Sequence, residues 1–170
     1  MKLSVSNIVW GNQNLSEFLK LLKQECCDGI ELAPSLIWKE PILSSSEERS
    51  SLKKKILSSG LKLVGFHSLL FSRPDLQLFK SEISRKNTIT YLKDLIKLCS
   101  ELGGSQLIFG SPNNRLLHGK KYEECLKQSY DDFLNLAEYC FEKKVFFCIE
   151  PLGKNLSEFI VSMSEGGDLV

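Results

Sequence analysis

The sequence predicts a parallel α/β fold of five strand–helix units that form part of a (β/α)8 barrel, and three observations predict it. Five short apolar segments alternate strictly with helical periodicity, which implies parallel strands joined by right-handed crossovers. The turn after the first segment, Val9 to Gln13, has neither a GxGxxG nor a phosphate-loop pattern, as a dinucleotide-binding open sheet would; a flavodoxin-like sheet stays open. In three segments a small residue precedes an ionisable one by two positions while the opposite face is bulky and apolar.

The strand-like segments are Leu3–Val9, Gly29–Ala33, Leu61–His67, Ser105–Gly110 and Val145–Glu150. Between the first two, Leu15, Phe18, Leu19 and Leu22 form an i, i+3, i+4, i+7 stripe, with Asn14 and Glu17 spaced as a capping box. Ser45 and Glu48 open the second helix in the same way, and Gly60 closes it. The third helix spans roughly Ser81 to Leu102, with Ile89, Leu92, Leu95, Ile96, Cys99 and Leu102 on one side and Gly103-Gly104 at its end. The fourth runs from about Tyr122 to Lys143, with Leu126, Tyr130, Phe133 and Ala137 inside, and a fifth begins near Leu156.

A length of 170 residues suits one domain with its own core, whereas a complete barrel takes about 250 residues. The expectation is therefore a single domain over residues 1–170, the N-terminal part of a barrel that is incomplete at its C-terminus. With 22 Lys and Arg against 21 Asp and Glu, no global field points to nucleic acid or to an anionic membrane. Lys53–Lys55 and Lys143–Lys144 read as solvated faces. The six cysteines lack CxxC spacing and fall in helical or apolar segments, which suits reduced, buried thiols rather than a disulfide or zinc framework. The N-terminus has no signal-peptide pattern and no apolar run reaches membrane length, so a cytoplasmic protein is expected.

Side chains alternate faces along a strand. Gly29 pairs with Glu31, Gly65 with His67 and Cys148 with Glu150, opposite Ile30, Phe66 and Ile149. In a barrel such inward residues end at the C-terminal rim, where reactive groups gather. Glu31, His67 and Glu150 are thus expected in one bowl, a set suited to a divalent metal or to proton transfer. Glu150 carries the most weight, because it ends the apolar run Phe146 to Ile149 and a buried carboxylate needs a metal, an Arg or a substrate beside it. Glu31 could equally begin an exposed loop, and His67 could be a hydrogen-bonded structural residue. After the fourth strand, Gly110, Ser111 and Arg115 offer a close-approach turn and a planar fork for carboxylate or phosphate. Trp10 and Trp38, in the loops after the first two strands, offer faces for a sugar ring or for packing of the loops.

The segments SNIVW, GIELAPS, GFHSLLF, LIFGSP with NNR, and CIEPLG, in this order, resemble the sugar phosphate isomerase/epimerase family of xylose isomerase-like TIM barrels. That superfamily also holds endonuclease IV and inosose dehydratases. The resemblance covers the chain from end to end, as the N-terminal portion of such a barrel. It implies a divalent metal (Mn, Mg, Co or Zn) at the barrel mouth and proton transfer next to a sugar carbonyl. Glu150 maps to the metal-binding Glu that ends the fifth strand. His67 maps to a His near substrate in the sugar enzymes and on zinc in the endonucleases, and Glu31 to the Glu of the second-strand motif. Gly110 and Ser111 stand where endonuclease IV-like enzymes carry a further metal-binding His, a departure that counts against DNA repair.

The family's remaining ligands, an Asp, a His and a Glu, come from strands six to eight, so the 170-residue chain is expected neither to bind the metal nor to turn over by itself. The expected function is a metal-dependent sugar or sugar-phosphate isomerase/epimerase. Glu150 and His67 would be catalytic, with Glu150 also on the metal, and Trp10, Glu31, Trp38, Ser111 and Arg115 would contact substrate. An inosose dehydratase-like lyase and an endonuclease IV-like enzyme are the enzymatic alternatives. A metal-free sugar-binding or interaction module is the non-enzymatic one. The expected partner is a sugar or sugar phosphate, with no membrane and no nucleic acid, and a homo-oligomer stays open.

Overall fold

The computed structural model describes residues 1–11 and 13–170. Its parallel strands are β1 (Ser4–Ser6), β2 (Gly29–Leu32), β3 (Lys62–Phe66), β4 (Gln106–Phe109) and β5 (Phe146–Ile149). The helices are α1 (Leu15–Gln24), α2 (Ser46–Ser58), α3 (Glu82–Leu102), α4 (Tyr122–Lys143) and α5 (Met163–Gly167). Strand order in the sheet is β1-β2-β3-β4-β5. A doubly wound sheet reverses its strand order at a switch point. Strictly sequential order with crossovers of one hand instead places every helix on the same face and curls the sheet, so these five strands are part of a barrel wall.

The outer face carries the core. Ile30, Leu32, Phe66, Leu107 and Phe109 meet the stripe Leu92, Leu95, Ile96 and Cys99 of α3, all at most 1% exposed. Ile149 packs against the same cluster. Ser45 and Glu48 form the capping box of α2, and Gly60 follows that helix at φ 77°. At α1 the Asn14 side chain accepts from the Ser16 N–H at 2.9 Å, while Glu17 receives the Asn14 amide instead of closing a box. Among the described residues no helix is long and apolar enough to cross a membrane.

Four expectations shift. The first strand stops at Ser6, because the Ser6 hydroxyl accepts from the Ile8 N–H and Asn7, buried, accepts from the Ala33 N–H at 2.7 Å, which turns residues Asn7–Val9 into a 3-10 helix. The buried face of α4 is Cys125, Ser129, Asp132, Phe133, Leu136 and Cys140, leaving Tyr130 and Ala137 outside. Its polar members are satisfied there: Asp132 pairs with Arg85 of α3 at 2.7 Å and Ser129 donates to the Cys125 carbonyl. No helix begins at Leu156. The Ser157 hydroxyl engages both ends of Phe159, a local competitor of helical bonding, Phe159 packs edge-on to Phe79, and α5 starts at Met163. All six cysteines are free thiols, but Cys26 is exposed rather than buried.

A fifth difference positions the site. β3 pairs with β2 as Ile30 to Leu63 and then Glu31 to Gly65, so Val64 is an extra residue, a β-bulge. Leu63 and Phe66 therefore both face the helices, and Val64 turns to the inner side, against the expected parity. Gly65 sits where β4 comes closest: a Cβ there would collide with the Gln106 carbonyl oxygen. Gly65→Ala should cost about 2–3 kcal/mol, the range for forcing a methyl group into a filled site. Gly167→Ala, where nothing lies within 4 Å, should stay within about 0.5 kcal/mol of the parent. Urea denaturation of the two variants checks the contrast.

Candidate active site

At the C-terminal ends of the strands a pocket of about 390 Å³ is lined by Glu31, His67, Ser68, Gly110, Ser111 and Glu150, with Ile108 and Leu152 as apolar walls. The structure thus brings together the three ionisable residues that parity places on one face. β1 contributes what the sequence reading passed over. The Ser4 hydroxyl donates to Glu31 at 3.2 Å, and the Ser6 hydroxyl lies 2.5 Å from His67 Nε2. The signal was present as Ser-Val-Ser, two hydroxyls at the i, i+2 spacing that shares a strand face.

His67 is half-buried between two serines, with Ser68 Oγ 3.3 Å from Nδ1. Burial lowers its pKa, and the nearby charges of Glu31 and Glu150 oppose that shift without cancelling it. The imidazole is therefore neutral at pH 7, able to take a proton or to share one. Ser68 (φ 52°) and Ser111 (φ 36°) both adopt left-handed backbone at the pocket wall. Ser111 also precedes Pro112, which disfavours helical conformations at that position, so strain is concentrated on this rim. The Ser111 hydroxyl is buried with no hydrogen-bond partner among the described residues.

Glu150 is exposed, not buried. β5 is an edge of the sheet, and the inward-facing Phe146 below Glu150 is itself 73% exposed. The desolvation cost that singles Glu150 out in the sequence is not present in this segment. Its carboxylate takes no hydrogen bond from the described residues and lies against Gly110, where a Cβ would strike Oε2. Glycine at position 110 thus makes the space that the carboxylate occupies.

The other expected contacts lie elsewhere. Arg115 is 0% exposed. Its Nη2 donates to the Glu150 carbonyl at 2.9 Å, its guanidinium lies 5.9 Å from the Phe109 ring centre, and Nε and Nη1 have no partner among the described residues. Burial lowers its pKa to about 10, with Glu150 acting in the opposite direction. The side chain braces the end of β5 from beneath and is not in the pocket lining. Trp10 stacks on Phe18 at 5.1 Å and donates its indole N–H to the Asn14 carbonyl. Trp38 lines a separate groove beside α2. Among the described residues no three His, Cys, Asp or Glu side chains come close enough to hold a metal ion.

The family model described as xylose isomerase-like TIM barrel matches residues 13–170. No curated protein matches in sequence. Among solved structures, the apo 3-keto-D-glucoside 4-epimerase YcjR of E. coli superposes with a TM-score of 0.77 at 16% identity over 97% of this chain and 61% of its own. The D-psicose 3-epimerase of Clostridium cellulolyticum H10, with D-tagatose, gives 0.79 at 17% identity over 99% of this chain and 58% of its own. The IolI protein with a bound zinc atom gives 0.76 at 19% identity over 100% of this chain and 58% of its own. At such identities the likeness shows the fold, and the chain spans about three-fifths of the length of these relatives.

The lowered pKa of His67 has a consequence for stability. Below pH 6.5 the unfolded chain takes up a proton at this residue that the folded chain resists, so stability is full above 6.5 and falls as the pH drops through the folded-state value. Urea midpoints at pH 7 and pH 5 should differ less for His67→Gln than for the parent. An imidazole titration followed by NMR should place His67 below 6.5.

Proposed function

Because the chain belongs to the xylose isomerase-like TIM barrel family, we propose that it supplies the first five βα units of a sugar or sugar-phosphate isomerase or epimerase. The observation that carries this reading is one pocket in which an unpartnered carboxylate, Glu150, and a neutral imidazole, His67, meet at the C-terminal rim. Carbon acids next to a carbonyl need a base for the C–H proton and a donor for the oxygen that becomes negative.

In this reading the Glu150 carboxylate takes the proton from the carbon beside the carbonyl and leaves an ene-diolate. The protonated Glu150 carboxyl exchanges with solvent, and proton delivery from it to the neighbouring carbon completes isomerisation, whereas epimerisation takes its proton from a second acid on the opposite face. His67 is held by Ser6 at Nε2, so Nδ1, whose contact to Ser68 is the longer one at 3.3 Å, is the nitrogen that a substrate oxygen would take over. Glu31, kept in place by Ser4, faces the sugar hydroxyls together with Ser111.

The divalent metal (Mn, Mg, Co or Zn) enters this proposal through Glu150 alone. Glu31 already accepts from Ser4 and both nitrogens of His67 have hydroxyl partners. A catalytic ion takes three or more protein ligands, and the described residues do not assemble that set.

Solvent-deuterium exchange into ketohexoses and their phosphates tests the reading, with the 170-residue chain measured beside a form extended to eight βα units. The extended form should exchange, and Glu150→Gln should reduce the rate by about 10²–10⁴, the span of a positioned acid–base group. Gly110→Ala, which pushes the carboxylate aside without altering it, should lower the rate in the same direction. Exchange by neither form overturns the isomerase reading and favours a sugar-binding module.

A further inference from the structure

The main chain of Glu150 is held from the side of β4. Its N–H donates to the Phe109 carbonyl at 3.1 Å, the last main-chain rung between the two strands. Bonds in a parallel ladder are evenly spaced, so the carbonyl of such a residue takes the next rung, from the N–H two positions further along the neighbour. That N–H belongs to Ser111, which makes no such bond: Ser111 adopts φ 36° and turns the chain out of the sheet ahead of Pro112. Among the described residues the Glu150 carbonyl has no main-chain donor, and Arg115 Nη2 takes the rung at 2.9 Å. Both contacts lie on the β4 side of Glu150, away from the free edge of β5, and do not depend on what lies beyond that edge.

A buried backbone carbonyl needs a donor, and a neutral one would serve. The sequence places a guanidinium there, at 0% exposure, with Nε and Nη1 covered by the chain itself and unpartnered among the described residues. Burying a cation without an anionic partner is costly, so something must hold Arg115 in place. The preceding residue does so. Asn114 Nδ2 donates to the Arg73 and Leu76 carbonyls at 2.8 and 2.6 Å, and the Leu78 N–H donates to the Asn114 carbonyl at 2.9 Å. The loop after β3 thereby fixes the start of the Arg115 side chain, which carries the constraint to β5. Glu150 is held at three points by one segment: its N–H at Phe109, its carboxylate against Gly110 and its carbonyl at Arg115.

We propose that Arg115 is a positioning residue for the proton transfer, standing in for the missing rung of the sheet and so fixing where the Glu150 carboxylate points. The proposal rests on the reading of Glu150 as the group that takes the proton. Arg115 is absent from the pocket lining and acts through the main chain of Glu150. A misplacement of about 1 Å at a reacting group costs on the order of 10²-fold in rate. The loss should fall on kcat, since Arg115 makes no contact that binds substrate.

Arg115→Met keeps an unbranched stem and removes the donor, and exchanging a buried charge for a hydrophobe is often neutral or stabilising. In the form extended to eight βα units, this variant should lose about 10–10²-fold in kcat with KM within about threefold of the parent. Arg115→Lys, which restores a cationic donor, should recover most of the loss. Arg115→Gln, too short to reach the carbonyl, should repeat it if the methionine variant folds poorly. A second readout needs no turnover. In the 170-residue chain the carbon chemical shifts of the Glu150 carbonyl and carboxylate should move in Arg115→Met and return toward the parent in Arg115→Lys, with remote amides unchanged. Unmoved Glu150 shifts, an unchanged kcat, or a loss confined to KM overturn the proposal. Absence of exchange by the extended parent overturns the isomerase reading instead, and the Glu150 shifts then decide the placement by themselves.

Discussion

The close approach of β3 to β4 at Gly65 is the constraint on which the rest of the inner face depends. One residue more or less in a strand exchanges its two faces, and β3 carries one residue more than β2 needs. The bulge absorbs it. Leu63 and Phe66, three apart, both reach the helices, and His67 returns to the inner face beside Glu31. Only glycine permits that geometry, because the Gln106 carbonyl occupies the place of a Cβ. The same irregularity turns Val64 to the inner side beside Gly29, toward the other end of the strands. One steric fact therefore shapes both ends of the sheet.

The two faces of the sheet divide the labour. The outer face is largely hydrocarbon against hydrocarbon, with α3 presenting Leu92, Leu95 and Ile96 at 0% exposure, and burial of each is worth about 1.5–3 kcal/mol. That rigid layer holds the strand ends in register. At its C-terminal end the inner face carries polar groups in mutual contact: Ser4 with Glu31, and Ser6 and Ser68 with His67. Hydroxyl groups give a neutral imidazole partners without adding charge, which agrees with burial dominating the His67 shift. Of the three ionisable groups in the pocket, Glu150 is the one without such a partner among the described residues, and this is why the proton transfer is assigned to it.

Arg115 shows how position changes a residue's meaning. In sequence it reads as a fork presented to an anion. In the fold the loop after β4 turns inward, with Asn114 bonded to the carbonyls of Arg73 and Leu76, and the guanidinium is drawn beneath the strand ends to the Glu150 carbonyl. Desolvation of that charge is costly, and the contact ties the loop after β4 to the end of β5. Trp10 follows the same logic: Phe18, on the buried face of α1, offers it a stacking partner, so it packs against the wall of the barrel.

The sequence by itself determined the number, order and type of the elements, the parallel sheet, and the sharing of one face by Glu31, His67 and Glu150. Those features rest on periodicity, and period is a property of consecutive residues. Helix caps at Ser45 and Gly60 were legible for the same reason, since capping is local. Only the tertiary structure decided the bulge at Val64, the rotation of α4 that buries Asp132 against Arg85, and the end of β1 at Ser6, where Asn7 bonds to Ala33. It alone exposed Glu150 and buried Arg115. Each of these outcomes depends on a partner distant in sequence: a carbonyl on the next strand, an ion on another helix, a main-chain amide 26 residues away. Local periodicity carries no information about such partners, because what a side chain meets across a sheet is set only when the strands are brought together.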